Sequence, residues 1–233
     1  MHPLEKQLGL RFKNPDLLAT AFIHRSYVNE SKAASENNER LEYLGDAVLE
    51  LAATEHLFHQ FIDKPEGELT SLRSAMVRKE NLSLIAKKLE LGKHLQLSRG
   101  EESSGGREKD YLLANAFEAL LGALYLDRGY DACKTFLTTH LFPTLETILS
   151  GSLHIDPKSA FQEFTQEKLK ITPHYLVSSE SGPDHDKTFV VGAYLGEQLI
   201  ARGKGASKRK AEEAAAKLAL AKLNKVHKKA KSG

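Results

Sequence analysis

The chain is poor in sulfur and has no long apolar run. It carries a single cysteine, Cys133, among 233 residues. One cysteine closes no intramolecular disulfide and makes no zinc site by itself, so the composition points to a reducing cytosol. No stretch of about 18 consecutive apolar residues occurs, which leaves no candidate membrane span. The start, Met1-His2-Pro3-Leu4-Glu5-Lys6, lacks the apolar core of a signal peptide. A cytoplasmic protein with no membrane partner is expected. With 41% hydrophobic and 27% charged residues, the rest reads as an ordinary soluble chain of one or two domains.

The net charge of +2 hides a division. Residues 1–155 hold 18 Lys and Arg against 22 Asp and Glu, a net of −4. Residues 156–233 hold 15 against 9, a net of +6. An acidic part joined to a basic part implies one segment that gathers cations and another that gathers a polyanion.

The acidic part centres on residues 38–49, Asn-Glu-Arg-Leu-Glu-Tyr-Leu-Gly-Asp-Ala-Val-Leu. Leu41, Leu44, Val48 and Leu51 form the apolar stripe of a helix. Glu39, Glu42 and Asp46 fall within about 60° of one another around its axis. Like charges stacked on one face repel, and Mg²⁺ would offset them, because hard cations prefer carboxylate oxygens. A solvated acidic face is the plain alternative, and Glu50, one turn beyond Asp46, fits it.

A second stretch, Tyr111 to Leu126, is an apolar helix pattern whose only charged residue is Glu118. An ionised carboxylate buried there is costly unless it is paired or bound to metal. Asn115 precedes it by a turn on the same face, and Gly122, a turn later, leaves room for another helix. Pairing of Glu118 with one arginine is the alternative. Beside the acidic helix, the favoured reading is that Glu118 completes an oxygen cage with Glu42 and Asp46.

Residues 38–49 resemble the signature of the ribonuclease III family nearly residue for residue. Ala21-Phe22-Ile23-His24-Arg25-Ser26-Tyr27 lies upstream of it. Glu66-Gly67-Glu68-Leu69-Thr70 with Leu72-Arg73, and residues 113–122, follow in the family's order. The resemblance implies hydrolysis of double-stranded RNA with Mg²⁺, Mn²⁺ substituting, and no nucleotide cofactor. The products would carry 5′-phosphate and 3′-hydroxyl ends. Carried over by motif position, Glu42, Asp46, Asn115 and Glu118 would line the metal site. Asp46, Glu118, Glu39 and Glu66 would be catalytic, Glu39 and Glu66 as outlying acidic residues that help position the strand or a second metal. The family also works as a homodimer, which periodicity alone does not reveal. The departure is Asn115, where the family's commonest residue is Asp: one negative charge is missing, though an amide oxygen still coordinates Mg²⁺.

Elsewhere in residues 1–150 every predicted element is helical. Residues 3–30 make two pieces broken at Asn14-Pro15, the second ending at His24-Arg25-Ser26-Tyr27, where His24 reads as structural. The acidic helix runs to about Phe61. Another opens at Glu66, a third stops at a Gly92 cap, residues 100–109 form a mobile loop, and Pro143 interrupts a last helix over 130–149. This gives an all-α nuclease domain. Residues 151–156 form a linker.

The order over 157–224 changes to α-β-β-β-α, a small α+β domain, followed by a basic disordered tail at 225–233. That order resembles the double-stranded-RNA-binding domain. Gln162 and Glu163 match its first-helix contacts, His185 its loop between the first two strands, and Lys208, Arg209 and Lys210 its basic cluster. Without the family, three cations at a helix N-terminus preceded by glycines suit phosphate, with generic solubilising charge as the plain alternative. A-form RNA hides its bases, so shape, phosphates and 2′-hydroxyls are what such a domain reads.

The leading expectation is an endoribonuclease that processes ribosomal RNA precursors and other structured transcripts. The runner-up is a protein that binds double-stranded RNA without cutting it, Asn115 being the lost ligand. A third is a structural component of ribosomes.

Overall fold

The computed structural model describes residues 3–31, 36–183 and 186–231. It forms two compact units, Met1–His154 and Ile155–Gly233. The first is built from α1 (Pro3–Leu8), α2 (Pro15–Ala21), α3 (Arg25–Glu30), α4 (Glu39–Gln60), α5 (Glu66–Val77), α6 (Lys79–Lys88), α7 (Arg99–Ser103), α8 (Asp110–Arg128), α9 (Tyr130–His140) and α10 (Thr144–Ser150). Short 3-10 turns occupy Leu91–His94 and Gly106–Glu108. The all-α expectation holds for this unit.

Helix α8 is its axis. Leu112, Leu113, Ala116, Phe117 and the whole run 119–124 are buried, as an all-round apolar helix requires. Helix α4 lies against it at backbone distance. A Cβ added to Gly45 would stand 1.8 Å from the Glu118 carbonyl oxygen, and one added to Gly122 would stand 2.1 Å from that of Leu41. No side chain fits at either place, so the two glycines set how closely the helices approach.

Several local expectations are corrected. Leu51 is 57% exposed, and the buried stripe of α4 is instead Leu41, Gly45, Val48, Leu49, Ala52, Ala53 and Leu57. The glycine shifts the contact line, because α8 approaches over Gly45. Rather than ending a helix, His24 is the N-cap of α3, its Nδ1 accepting from the Ser26 amide at 3.3 Å. Helix α6 ends at Lys88 with Leu89 as its cap; Gly92 lies in a 3-10 turn, where a Cβ would meet the Arg107 carbonyl oxygen at 2.4 Å.

Residues 100–109, expected to be a mobile loop, contain most of α7 and a 3-10 turn. Arg107 holds them down by donating to the carbonyls of Gly92 (2.9 Å) and Leu95 (2.8 Å). Composition alone hides such a long-range clasp. The lone Cys133 is buried against α8, and burial pushes its thiol up to about 12.

The second unit comprises α11 (Pro157–Leu169), β1 (His174–Ser181), β2 (Thr188–Leu195), β3 (Gln198–Gly205) and α12 (Lys208–Lys231). The antiparallel sheet has the order β1-β2-β3, pairing Val177 with Val191 and Val191 with Gly203. Gly196, at φ +56, turns β2 into β3. Phe161, Ala193, Ile200, Ala215, Ala216 and Ala219 form a core separate from that of the first unit.

Gly203 and Gly205 do not lie open for a ligand. A Cβ on Gly203 would meet the Ala215 amide at 2.1 Å, and one on Gly205 the Ala211 amide at 2.5 Å, so both seat α12 on β3. The tail expected to be disordered from residue 225 continues α12 to Lys231. Its residues are good helix formers with no Gly or Pro before Gly233.

Candidate active site and RNA-binding residues

The α4–α8 crossing brings the two sequence signals together. Glu42 and Asp46 come from α4, and Asn115 and Glu118 from α8. Glu118 is half-buried, and its carboxyl is pushed up to about 8, first by burial and then by the charges of Asp46 and Glu42. Among the described residues no cation pairs with it, so the single-arginine alternative fails. Burial also raises Glu42, with Glu39 and Asp46 adding to the rise, while a hydrogen bond with the Asn115 side chain opposes it. In the free protein, Asn115 therefore relieves charge at a point where an Asp would add to it.

The donor set suits a hard divalent cation: three carboxylates and an amide, oxygen donors throughout, with a charge deficit in their midst. The cage is not preformed. Among the described residues, no three Asp, Glu, His or Cys side chains converge closely enough to hold an ion. Like charges separate when no cation lies between them, and Glu42 is drawn to Asn115 instead.

Glu39 stands at the edge of this group, 3.6 Å from Arg25 and sensed electrostatically by Glu42. Glu66 opens α5 and accepts from the Thr70 hydroxyl at 2.9 Å; its charge is not among those that shift Glu42 or Glu118. Glu50 leaves the group by pairing with Arg73 at 2.8 Å. Arg25 is the residue that sequence reasoning passed over. It lies 14 positions from Glu39, beyond any helical period, so no spacing rule links the two.

In the second unit, Gln162 and Glu163 are exposed on α11. Lys158, at the start of α11, pairs with Glu212 at 2.5 Å and holds that helix beside the first turns of α12. Ser207 accepts from the Lys210 amide, as an N-cap does. Lys208 lies over the Phe189 ring, while Arg209 and Lys210 both reach Glu213, at 3.0 and 3.4 Å. All three cations stay exposed. His185 lies outside the described residues.

The Ribonuclease-III-like family model matches residues 14–145, and the Double-stranded RNA binding motif matches residues 157–223. The chain belongs to the ribonuclease III family. A Ribonuclease 3 from Oceanobacillus iheyensis is 47% identical over 225 residues, spanning 96% of this chain and 98% of that one. The Borreliella afzelii Ribonuclease 3 is 46% identical over 215 residues, 92% of this chain and 88% of its own. Among solved structures, the nuclease domain of ribonuclease III from Campylobacter jejuni matches with a TM-score of 0.57 and 42% identity. It covers 61% of this chain and 98% of its own. Family membership thus rests on both units.

Proposed function

We propose that this chain is an endoribonuclease that hydrolyses double-stranded RNA with Mg²⁺ at the α4–α8 crossing, leaving 5′-phosphate and 3′-hydroxyl ends. The observation that carries this is Glu118, a half-buried carboxyl faced by two like charges with no cation paired to it among the described residues. A group so placed holds a proton near neutral pH or demands a cation.

Glu42, Asp46, Asn115 and Glu118 would hold the ion, which supplies positive charge to the phosphate and lowers the pKa of water. The chain's own work is positional. Gly45 and Gly122 fix the two helices, so the four donors sit on rigid elements. Glu118 would have to be ionised to hold the ion, so loading would be coupled to pH. Until then the Asn115 side chain hydrogen-bonds Glu42 and favours its charged form. The second unit grips the duplex by phosphate and shape, through Lys208, Arg209, Lys210, Gln162 and Glu163. Glu39 and Glu66 would act at the margin, on the strand rather than on the first ion.

A homodimer fits the surface of α4. Tyr43 is 83% exposed and lines an open groove of about 1090 Å³ that mixes apolar residues such as Leu17, Leu44 and Leu126 with polar and charged ones such as Asp16, Glu39 and Arg40. The Campylobacter nuclease domain is described as having a region involved in dimer formation. In the cell the enzyme would process ribosomal RNA precursors and other structured transcripts in the cytoplasm.

The test is cleavage of a long RNA duplex in Mg²⁺ by the wild type, Glu118→Gln and Asn115→Asp. Cutting by the wild type that Glu118→Gln abolishes is the expected result. A duplex bound but left whole by the wild type at millimolar Mg²⁺, and cut by Asn115→Asp, would overturn it in favour of a binding protein.

A further inference from the structure

We propose that Lys109 and Tyr111 form a phosphate seat for the RNA strand beside the cleavage site, and that Glu101 fills this seat in the free protein as a removable placeholder. This rests on the duplex-cleaving reading above and adds a strand-positioning site to it.

One Glu101 carboxylate oxygen accepts from the Lys109 ammonium at 2.6 Å and faces the Tyr111 hydroxyl at 3.4 Å. An ammonium and a phenol converging on one anionic oxygen make a seat that a phosphate oxygen fills equally well. The seat is open to solvent: Tyr111 is 44% exposed, and the Lys109 and Glu101 side chains are 33% and 20% exposed.

Two placements put it on the α8 face that carries the acidic centre, a short distance from it and outside the charges that shift Glu42 or Glu118. Tyr111, Asn115 and Glu118 share one face of α8, and Tyr111 precedes Glu118 by about 10 Å along the axis. From the other side, His24 senses the charges of both Glu101 and Glu39, and Glu42 senses Glu39 in turn. A strand whose phosphate is cut at Glu118 therefore passes a neighbouring phosphate by Lys109 and Tyr111. That contact answers a physical need, because an acidic centre repels a polyanion unless cations flank it.

The placeholder can leave. A partly exposed ion pair is worth little, and the backbone around Glu101 is anchored independently of its carboxylate. Ser98 Oγ accepts from the Glu101 amide at 3.1 Å, and Arg107 clasps the turn that follows. The Glu101 side chain can swing out while the segment stays folded. If the pair were only a staple between α7 and α8, its loss would weaken the fold and give no gain in binding.

The experiment compares full-length wild type, Glu101→Gln, Lys109→Gln and Tyr111→Phe. Binding of a short RNA duplex is measured against salt without divalent cation, and KM and kcat are measured with Mg²⁺. Glu101→Gln is expected to bind roughly three- to tenfold tighter with a lower KM, since it frees one cation. Lys109→Gln should bind more weakly and lower the salt slope by about one. Tyr111→Phe should raise KM a fewfold with kcat unchanged. A Lys109→Gln protein with an unaltered salt slope, or a well-folded Glu101→Gln protein that binds no tighter, overturns the seat. If the wild type binds but never cuts, the cleavage reading fails, and the binding arm still decides the seat.

Discussion

Glu118 occupies an expensive position for a carboxyl group. Its pKa is about 8 in the folded chain, against 4.5 for the free side chain. Between those values the folded protein holds a proton that the unfolded one has lost, so stability falls as pH rises from about 4.5 to 8 and levels off above. Glu118→Gln keeps the shape without the charge. In EDTA at pH 8.5 we expect this variant to exceed the wild type in stability by about 1–2 kcal/mol, allowing for solvent screening, and to match it near pH 4. Urea melts at the two pH values measure the difference. Millimolar Mg²⁺ should raise the melting temperature of the wild type well above any shift in the variant, because only the wild type holds the full donor set. Equal shifts would place the ion elsewhere.

Asn115 is the uncharged member of the four donors. Replacing it with Asp removes a hydrogen bond to Glu42 and adds a fourth like charge. Without metal, Asn115→Asp should therefore be the less stable protein, by about 1 kcal/mol. With Mg²⁺ it should reach half-maximal cleavage at a lower metal concentration, since affinity rises with ligand charge. A metal titration in which the two proteins coincide would mean that position 115 does not face the ion.

At the scale of elements, glycines decide more than charged residues do. Gly45 and Gly122 let α4 and α8 touch backbone to backbone, and Gly203 does the same for β3 and α12. Gly45→Ala puts a methyl group 1.8 Å from a carbonyl oxygen that cannot move without its helix. It should cost about 3 kcal/mol or more and abolish cleavage, although no carboxylate is touched. Gly203→Ala should unseat the first turns of α12, lowering duplex affinity while the first unit melts as before. Thermal melts paired with duplex binding separate the two effects.

At the scale of the molecule, the two units have separate hydrophobic cores and opposite net charge. Residues 1–154, expressed alone, should keep their helical content yet lose most of the duplex affinity at physiological salt, because the +6 part is gone. Lowering the salt should restore part of the cutting. If the shortened chain bound duplex as tightly as the full one at every salt concentration, the division of labour would be wrong.

Most of this architecture was legible in the residues. Apolar spacing marked α4 and α8 as helices, the Asp63-Lys64-Pro65 break marked the end of α4, β-type runs marked the three strands, and a lone carboxylate in an apolar run marked Glu118 before any fold was known. These signals are local: a helix or strand reports its buried face within a few residues, because burial follows its own period. Interactions between distant residues were not legible. That Leu51 faces out, that Arg107 turns residues 100–109 into ordered structure, and that Glu101 joins Lys109 to Tyr111 all depend on residues outside one another's period. The sequence by itself determined the main helices and strands, their charge and the chemistry of the donors. Only the tertiary structure decided which donors face each other, because the crossing of α4 and α8 is set by two missing side chains, at Gly45 and Gly122, whose effect appears only when the helices meet.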